Sequence, residues 1–147
     1  MSIYRRIVYG ITLGIAMILT VLAPGCSSTE NMVHNRCADP ETGAPVYTTY
    51  EGKASYYARR FHGRKTASGV RYNMNTMTCA HRSLPFGTLL KVTNKRNGRH
   101  VIVVVNDRGP WIPDRVVDLS LAAAKELDMV RAGVVPVSVD VIAWGGR

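Results

Sequence analysis

Two β-branched runs around an Asn-Gly step constrain this chain more than any other feature. Thr88-Leu-Leu-Lys-Val-Thr-Asn94 and Arg99-His-Val-Ile-Val-Val-Val-Asn106 flank Lys95-Arg96-Asn97-Gly98. Branched side chains crowd a helix and suit a pleated surface, and Asn-Gly supplies the left-handed residues of a tight turn. The pattern predicts a β-hairpin. A lone hairpin is marginal in water, so more strands must cover it. Arg115 to Leu119 reads as a third strand and Val135 to Ile142 as a fourth, with Pro136 suited to a strand start or sheet edge. One helix is predicted from Leu121 to Met129, with Ser120 as N-cap and Leu121, Ala123, Ala124 and Leu127 on its apolar face. Gly133 then breaks the chain. Short strands with one or two small helices predict a mainly β fold, a closed or nearly closed barrel. At 147 residues there is room for one such domain.

The N-terminus reads as an address. Arg5 and Arg6 precede Ile7 to Leu22, an uncharged run of 16 residues. As a helix it would span about 24 Å, short of the roughly 30 Å hydrocarbon core. This is the pattern of a secretory signal over residues 1–25, the alternative being an uncleaved anchor helix. Leu22-Ala-Pro-Gly-Cys26 resembles a bacterial lipobox through Gly25 and Cys26, although Ala23 and Pro24 depart from it. The resemblance implies lipidation of Cys26 and attachment to a bacterial membrane. Ser27 then implies sorting to the outer membrane, facing the periplasm. Residues 26–49 are polar, with two prolines and no apolar period, and read as a tether reaching about 26 Å. The globular domain is expected over residues 50–147.

The chain has 19 Lys and Arg against 10 Asp and Glu, a formal +9. Losing Arg5 and Arg6 with the signal leaves 17 basic residues and a mature charge of +7. Such a surface favours polyanions, and export argues against nucleic acid and for an acidic wall polymer. Cys37 and Cys79 are then either disulfide-bonded, a contribution of about 4 kcal/mol on the chain-entropy model, or two free thiols. No Cys or His spacing fits a zinc site, and no metal or organic cofactor is implied. A monomer is the default expectation.

Between Gly52 and Ile142 lies an ordered series of short motifs. They are Gly52-Lys-Ala-Ser-Tyr-Tyr57, Phe61-His-Gly-Arg64, Thr66-Ala-Ser-Gly69, Ala80-His81, Leu84-Pro-Phe-Gly-Thr88, Asn106-Asp-Arg-Gly-Pro110 and Val117-Asp-Leu-Ser120. In this order they closely resemble the rare lipoprotein A (RlpA) family of bacterial lytic transglycosylases. The resemblance implies a six-stranded double-psi β-barrel. It also implies non-hydrolytic cleavage of the N-acetylmuramic acid–β-1,4–N-acetylglucosamine bond of peptidoglycan. In that reaction the muramyl 6-hydroxyl attacks its own C1, so one carboxyl serves as acid and then as base, where ordinary glycosidases need two.

The resemblance implies Asp107 as that carboxyl, with His81 as a second residue tied to activity, orienting Asp107 or binding the sugar. The structural alternative makes Asp107 a turn cap paired with Arg108 or Arg115. Tyr57, Phe61, His62, Arg64, Thr66, Ser68, Asn106 and Arg108 are the candidate substrate-binding residues. Around them Arg59, Arg60, Lys65, Arg71, Tyr56 and Tyr72 mix positive charge with aromatic faces, which suits sugars bearing carboxylates. Arg108 and Asp118 are also expected to hold barrel loops.

The sequence departs from the family pattern in two places. The family has Glu after Thr-Ala-Ser-Gly, and this chain has Val70. Many members also carry a C-terminal glycan-binding domain, whereas Arg147 follows soon after the last expected strand, so septal targeting by that route is not expected. Val70 keeps open a second reading: a non-catalytic peptidoglycan-binding or expansin-like wall-loosening lipoprotein.

Overall fold

The computed structural model describes residues 38–41 and 43–146. The signal run, Cys26 and Cys37 lie outside them. Six strands follow in chain order: β1 (Thr48–Tyr56), β2 (Thr78–Ala80), β3 (Leu89–Asn94), β4 (His100–Asp107), β5 (Arg115–Leu119) and β6 (Val135–Ala143). One helix, α1 (Leu121–Glu126), and a 3-10 turn at Arg59–Phe61 complete the regular structure among the described residues. The strands close into a barrel in the order β1-β5-β2-β4-β3-β6. β1 runs parallel to β5 and β2 parallel to β4, while the other neighbours are antiparallel.

The expected hairpin is present. Leu89 faces Val104 and Thr93 faces His100, and Gly98 takes the left-handed conformation with φ 73°. Strand alternation then builds the core. Val101, Val103 and Val105 of β4 point inward while Ile102 stays exposed. Leu90 and Val92 of β3, Val117 and Leu119 of β5, and Val135, Val137, Val139 and Val141 of β6 meet them. Each fully buried branched side chain contributes roughly 1.5–3 kcal/mol.

Two strands were not individually legible. β1 places Gly52 and Ala54 among its inward positions, so it lacks a β-branched signature. A Cβ at Gly52 would stand 2.6 Å from Val116 Cγ1, so the missing side chain is what lets Val116 lie against β1. β2 has three residues and is held by neighbours on both sides.

The helix is shorter than expected. Ser120 caps it, its Oγ accepting from the Ala123 N–H at 3.2 Å. It ends at Glu126, and Asp128 at φ 51° turns the chain away. Asn94 and Asn97 both donate through Nδ2 to the Leu127 carbonyl, at 3.0 and 3.1 Å, tying the hairpin to the helix end.

The tether expectation over residues 26–49 needs correcting at its described end. Asp39 is buried and accepts from Lys91 Nζ through both oxygens, at 2.9 and 2.7 Å. Lys91 also donates to Glu41 at 2.7 Å, and β1 begins at Thr48. The physical reason is charge: Lys91 points away from the barrel interior on β3, and the 39–41 segment neutralises and covers it. Of the two cysteines, Cys37 lies outside the described residues. Cys79 is a free thiol in the core, and burial pushes its pKa up.

Candidate active site

Asp107 is the last residue of β4, where the strand leaves the barrel wall. Its side chain is held from three directions. Oδ1 accepts from the backbone N–H groups of Ala67 and Arg108, each at 2.8 Å. Oδ2 accepts from the Tyr57 hydroxyl at 3.0 Å. A carboxylate oxygen has two lone-pair directions. Oδ1 is filled by its two donors, and Oδ2 keeps capacity for a proton or a substrate oxygen.

The Ala67 donor is delivered by a tight turn. Thr66 donates to the Val70 carbonyl through both its backbone N–H (2.8 Å) and Oγ1 (2.7 Å). Gly69 closes the turn at φ 89°, and the Ser68 N–H donates to the Asn106 carbonyl at 3.3 Å. The turn is thereby fastened to the end of β4, with its Ala67 N–H aimed at the carboxylate.

Tyr57 is placed by packing. Its ring lies 5.6 Å from Phe61 in an edge contact and 5.3 Å from Tyr72 in a tilted one. Burial, then the Asp107 charge beside it, push the Tyr57 pKa well up, so its hydroxyl remains a donor at all physiological pH. Arg60 and Arg64 stand over Phe61 at 5.2 and 5.3 Å. Together Tyr57, Phe61, Arg64, Lys65, Thr66, Tyr72 and Asp107 line a cleft of about 240 Å³. Asp107 is the one acid among these described residues, opposite two cations. The cleft can hold an uncharged or anionic ring against aromatic faces and bring one carboxyl to it.

The sequence candidates divide at this point. Tyr57, Phe61, Arg64 and Thr66 meet Asp107 in the cleft. Ser68 and Asn106 support it from behind, Ser68 Oγ lying 3.0 Å from Thr66 Oγ1. His62 is exposed and its Nδ1 accepts from the Met74 N–H at 3.2 Å, outside the lining. The Arg108 guanidinium lies 3.8 Å over the Phe86 ring and donates weakly to the His81 carbonyl, so its side chain holds a loop. Arg115 pairs with Asp118, both 2.6 Å contacts coming from Nη2, and not with Asp107.

His81 differs most from expectation. Its link to Asp107 is through the main chain, the His81 N–H donating to the Asp107 carbonyl at 3.2 Å. Its imidazole packs on Tyr50 at 5.2 Å, and Nδ1 accepts from the Ser83 and Leu84 N–H groups. No hydrogen bond joins the ring to the Asp107 carboxylate among the described residues. Burial, then the charges of Arg108 and Arg82, lower the His81 pKa. The ring is therefore neutral at pH 7, with its proton on Nε2. It lines a second cleft of about 510 Å³, together with Tyr50, Lys53, Arg82, Arg115 and Pro136 among others.

Sequence reasoning missed two contributors. The Ala67 N–H is a backbone donor and carries no side-chain signature. Arg82, outside every motif, donates to the carbonyls of Pro110, Ile112 and Arg115 at 2.6, 2.8 and 3.1 Å. Val70 is 60% exposed, its side chain on the outer side of the turn that carries Ala67.

A closed six-stranded barrel of mixed pairing, with a single carboxylate cradled at the end of β4, defines a double-psi β-barrel protein. The sequence model of the lytic transglycolase family matches residues 49–139. The chain is 43% identical over 127 residues to the endolytic peptidoglycan transglycosylase RlpA of Campylobacter jejuni, covering 84% of this chain and 46% of that protein. It is 57% identical over 111 residues to a probable endolytic peptidoglycan transglycosylase RlpA of Aquifex aeolicus, covering 75% and 48%. The chain thus spans about half the length of these relatives. Among solved structures, apo Clavibacter michiganensis expansin is similar at 27% identity and a TM-score of 0.52, over 67% of this chain and 53% of that one. The Streptomyces papain inhibitor shares the fold at 24% identity and a TM-score of 0.53, over 67% and 98%. This chain belongs to the RlpA family of lytic transglycolases.

Proposed function

We propose that this protein is a peptidoglycan lytic transglycosylase in which Asp107 acts as both acid and base. The observation that carries the reading is the single carboxylate of the cleft, anchored through Oδ1 and accessible through Oδ2. The protonated Asp107 carboxyl gives its proton to the glycosidic oxygen as the bond from the muramyl C1 to that oxygen breaks. The muramyl O6 bonds to C1, and the Asp107 carboxylate takes the hydroxyl proton. The products are a 1,6-anhydromuramyl end and a free 4-hydroxyl on the leaving N-acetylglucosamine. No water is consumed, and the carboxyl regains its starting state. Phe61 supplies an apolar face for the sugar, and Arg64 and Lys65 supply charge for muramyl or stem-peptide carboxylates.

The same reading places the protein outside the cytoplasm. Residues 1–25 act as an export signal, and lipid on Cys26 holds a monomeric barrel at a bacterial membrane, with Ser27 favouring the outer one. This part is supported by the sequence pattern alone.

The test is mass spectrometry of intact and peptide-stripped peptidoglycan after incubation with the protein or its Asp107→Asn variant. Anhydromuramyl ends formed by the wild type and absent with the variant support the reading. New reducing ends would mean hydrolysis. Retention of glycan without any cleavage would turn the reading to a wall-binding protein, with Val70 as its mark.

A further inference from the structure

The segment between Asp107 and Arg115 joins the two clefts. Asp107 lines the smaller one, and Asp114 and Arg115 line the larger. Trp111 lies in the middle of this segment and is 75% exposed. A buried Trp side chain is among the largest apolar contributions a fold can make, so leaving one in water while the core is built of valine is informative.

The exposure does not come from a loose loop. Arg82 holds the carbonyls on both sides of Trp111, those of Pro110 and Ile112, and reaches Arg115 as well. Pro110 and Pro113 restrict the backbone on either side. Gly109 is buried, and a Cβ there would stand 4.0 Å from Trp111 Nε1. The indole N–H has no hydrogen-bond partner among the described residues. A flat face, a free donor and a clamped backbone are therefore presented together, within about 14 Å of the Asp107 Cα by chain length.

We propose that Trp111 is a sugar-stacking subsite, binding a pyranose ring of the glycan strand away from the bond cleaved at Asp107. The proposal rests on the glycan reading above. It takes its occupant from nearness to Asp107, four residues back along a segment whose backbone Arg82 holds. Stacking on a pyranose is favoured by an aromatic carried on a fixed backbone, and the Arg82 contacts hold the carbonyls on both sides of Trp111. Ile112, 53% exposed beside it, widens the apolar face. Binding energy from a remote sugar raises affinity for long strands without touching the reacting atoms.

The protein has two tryptophans, so a Trp144→Phe background leaves Trp111 as the only indole. Its emission is followed during titration with peptide-stripped glycan strands, and cleavage is measured in parallel for Trp111→Ala and Trp111→Phe. The expected result is a blue shift on adding glycan. Half-saturation should rise about tenfold in Trp111→Ala, with turnover at saturation within about twofold and partial recovery in Trp111→Phe. No shift, with unchanged half-saturation while Asp107-dependent cleavage persists, overturns the subsite and leaves the enzymatic reading intact. A shift with anionic phospholipid vesicles and none with glycan also overturns it, in favour of a membrane contact. A wild type that binds glycan through Trp111 and cleaves nothing supports the subsite and sinks the enzymatic reading.

Discussion

The Tyr57 hydroxyl and the Asp107 carboxylate meet at 3.0 Å although 50 positions separate them in the chain. Tyr57 follows β1 and Asp107 ends β4, so the barrel must close before either is useful. Tyr57→Phe removes that donor and little volume. Cleavage should fall by about tenfold or more, since a misplaced carboxyl transfers protons poorly. Thermal stability should change by about 1 kcal/mol or less. Anhydromuramyl product rates and a melting curve on the same preparation check both halves. Alkaline absorbance titration should also show Tyr57 and Tyr72 of the wild type ionising above the ordinary range, and only the Tyr57 share should be lost in the variant.

His81 gives the fold an acid sensitivity. Burial, then Arg108 and Arg82, lower its pKa in the folded state, and Tyr50 packs its ring without offering an opposite charge. The unfolded chain therefore binds a proton more readily below pH ~6.5 than the folded chain does. The His81 contribution to stability is complete above that pH and is lost as pH falls through the folded value. Melting temperatures measured from pH 7.5 down to 5 should decline, and His81→Gln, which keeps an acceptor for the Ser83 and Leu84 N–H groups, should flatten part of that slope.

Lys91 and Asp39 form a buried pair, with side chains 6% and 4% exposed. Removing Lys91 takes from the buried Asp39 the cation that both of its oxygens contact. Lys91→Met should cost about 3 kcal/mol in urea unfolding. The double variant with Asp39→Asn should recover most of the loss, because the buried charge is then gone and Glu41, 57% exposed and 3.0 Å from His100 Nδ1, stays solvated. Equal losses in the single and double variants would mean that packing, and not charge, fastens the 39–41 segment.

Val70 sits at the rim, on the turn that delivers the Ala67 N–H, and is 60% exposed. Val70→Glu should alter stability by less than about 0.5 kcal/mol, as surface changes usually do. The family resemblance makes Glu the expected residue there, so the variant should raise the rate of anhydromuramyl formation severalfold. An unchanged rate would mean that this barrel works without a second carboxyl.

Much of the architecture was readable because local chemistry settled it. β3, β4, β5 and β6 are rich in valine and leucine at alternating positions, and Asn97-Gly98 admits a tight turn, so each strand announced itself within a few residues. The motif around Asp107 likewise singled out the carboxylate that the structure places in the cleft. Other features depended on contacts that close only across the barrel. β1 and β2 are strands because partners on both sides bond them, not because Gly52, Ala54 or Ala80 favour extension. Residues 39–41 are polar enough to read as a tether, and a lysine 50 positions away makes them part of the fold. The imidazole of His81 went to Tyr50 and a separate cleft because the turn after β2 spends its Nδ1 on two backbone donors. The residue types needed at Asp107 were written along the chain; the Ala67 N–H, the Tyr57 hydroxyl and the cleft between them exist only once the β-barrel closes, since hydrogen bonds span about 3 Å and the groups that make them lie 40 and 50 positions apart from Asp107 in sequence.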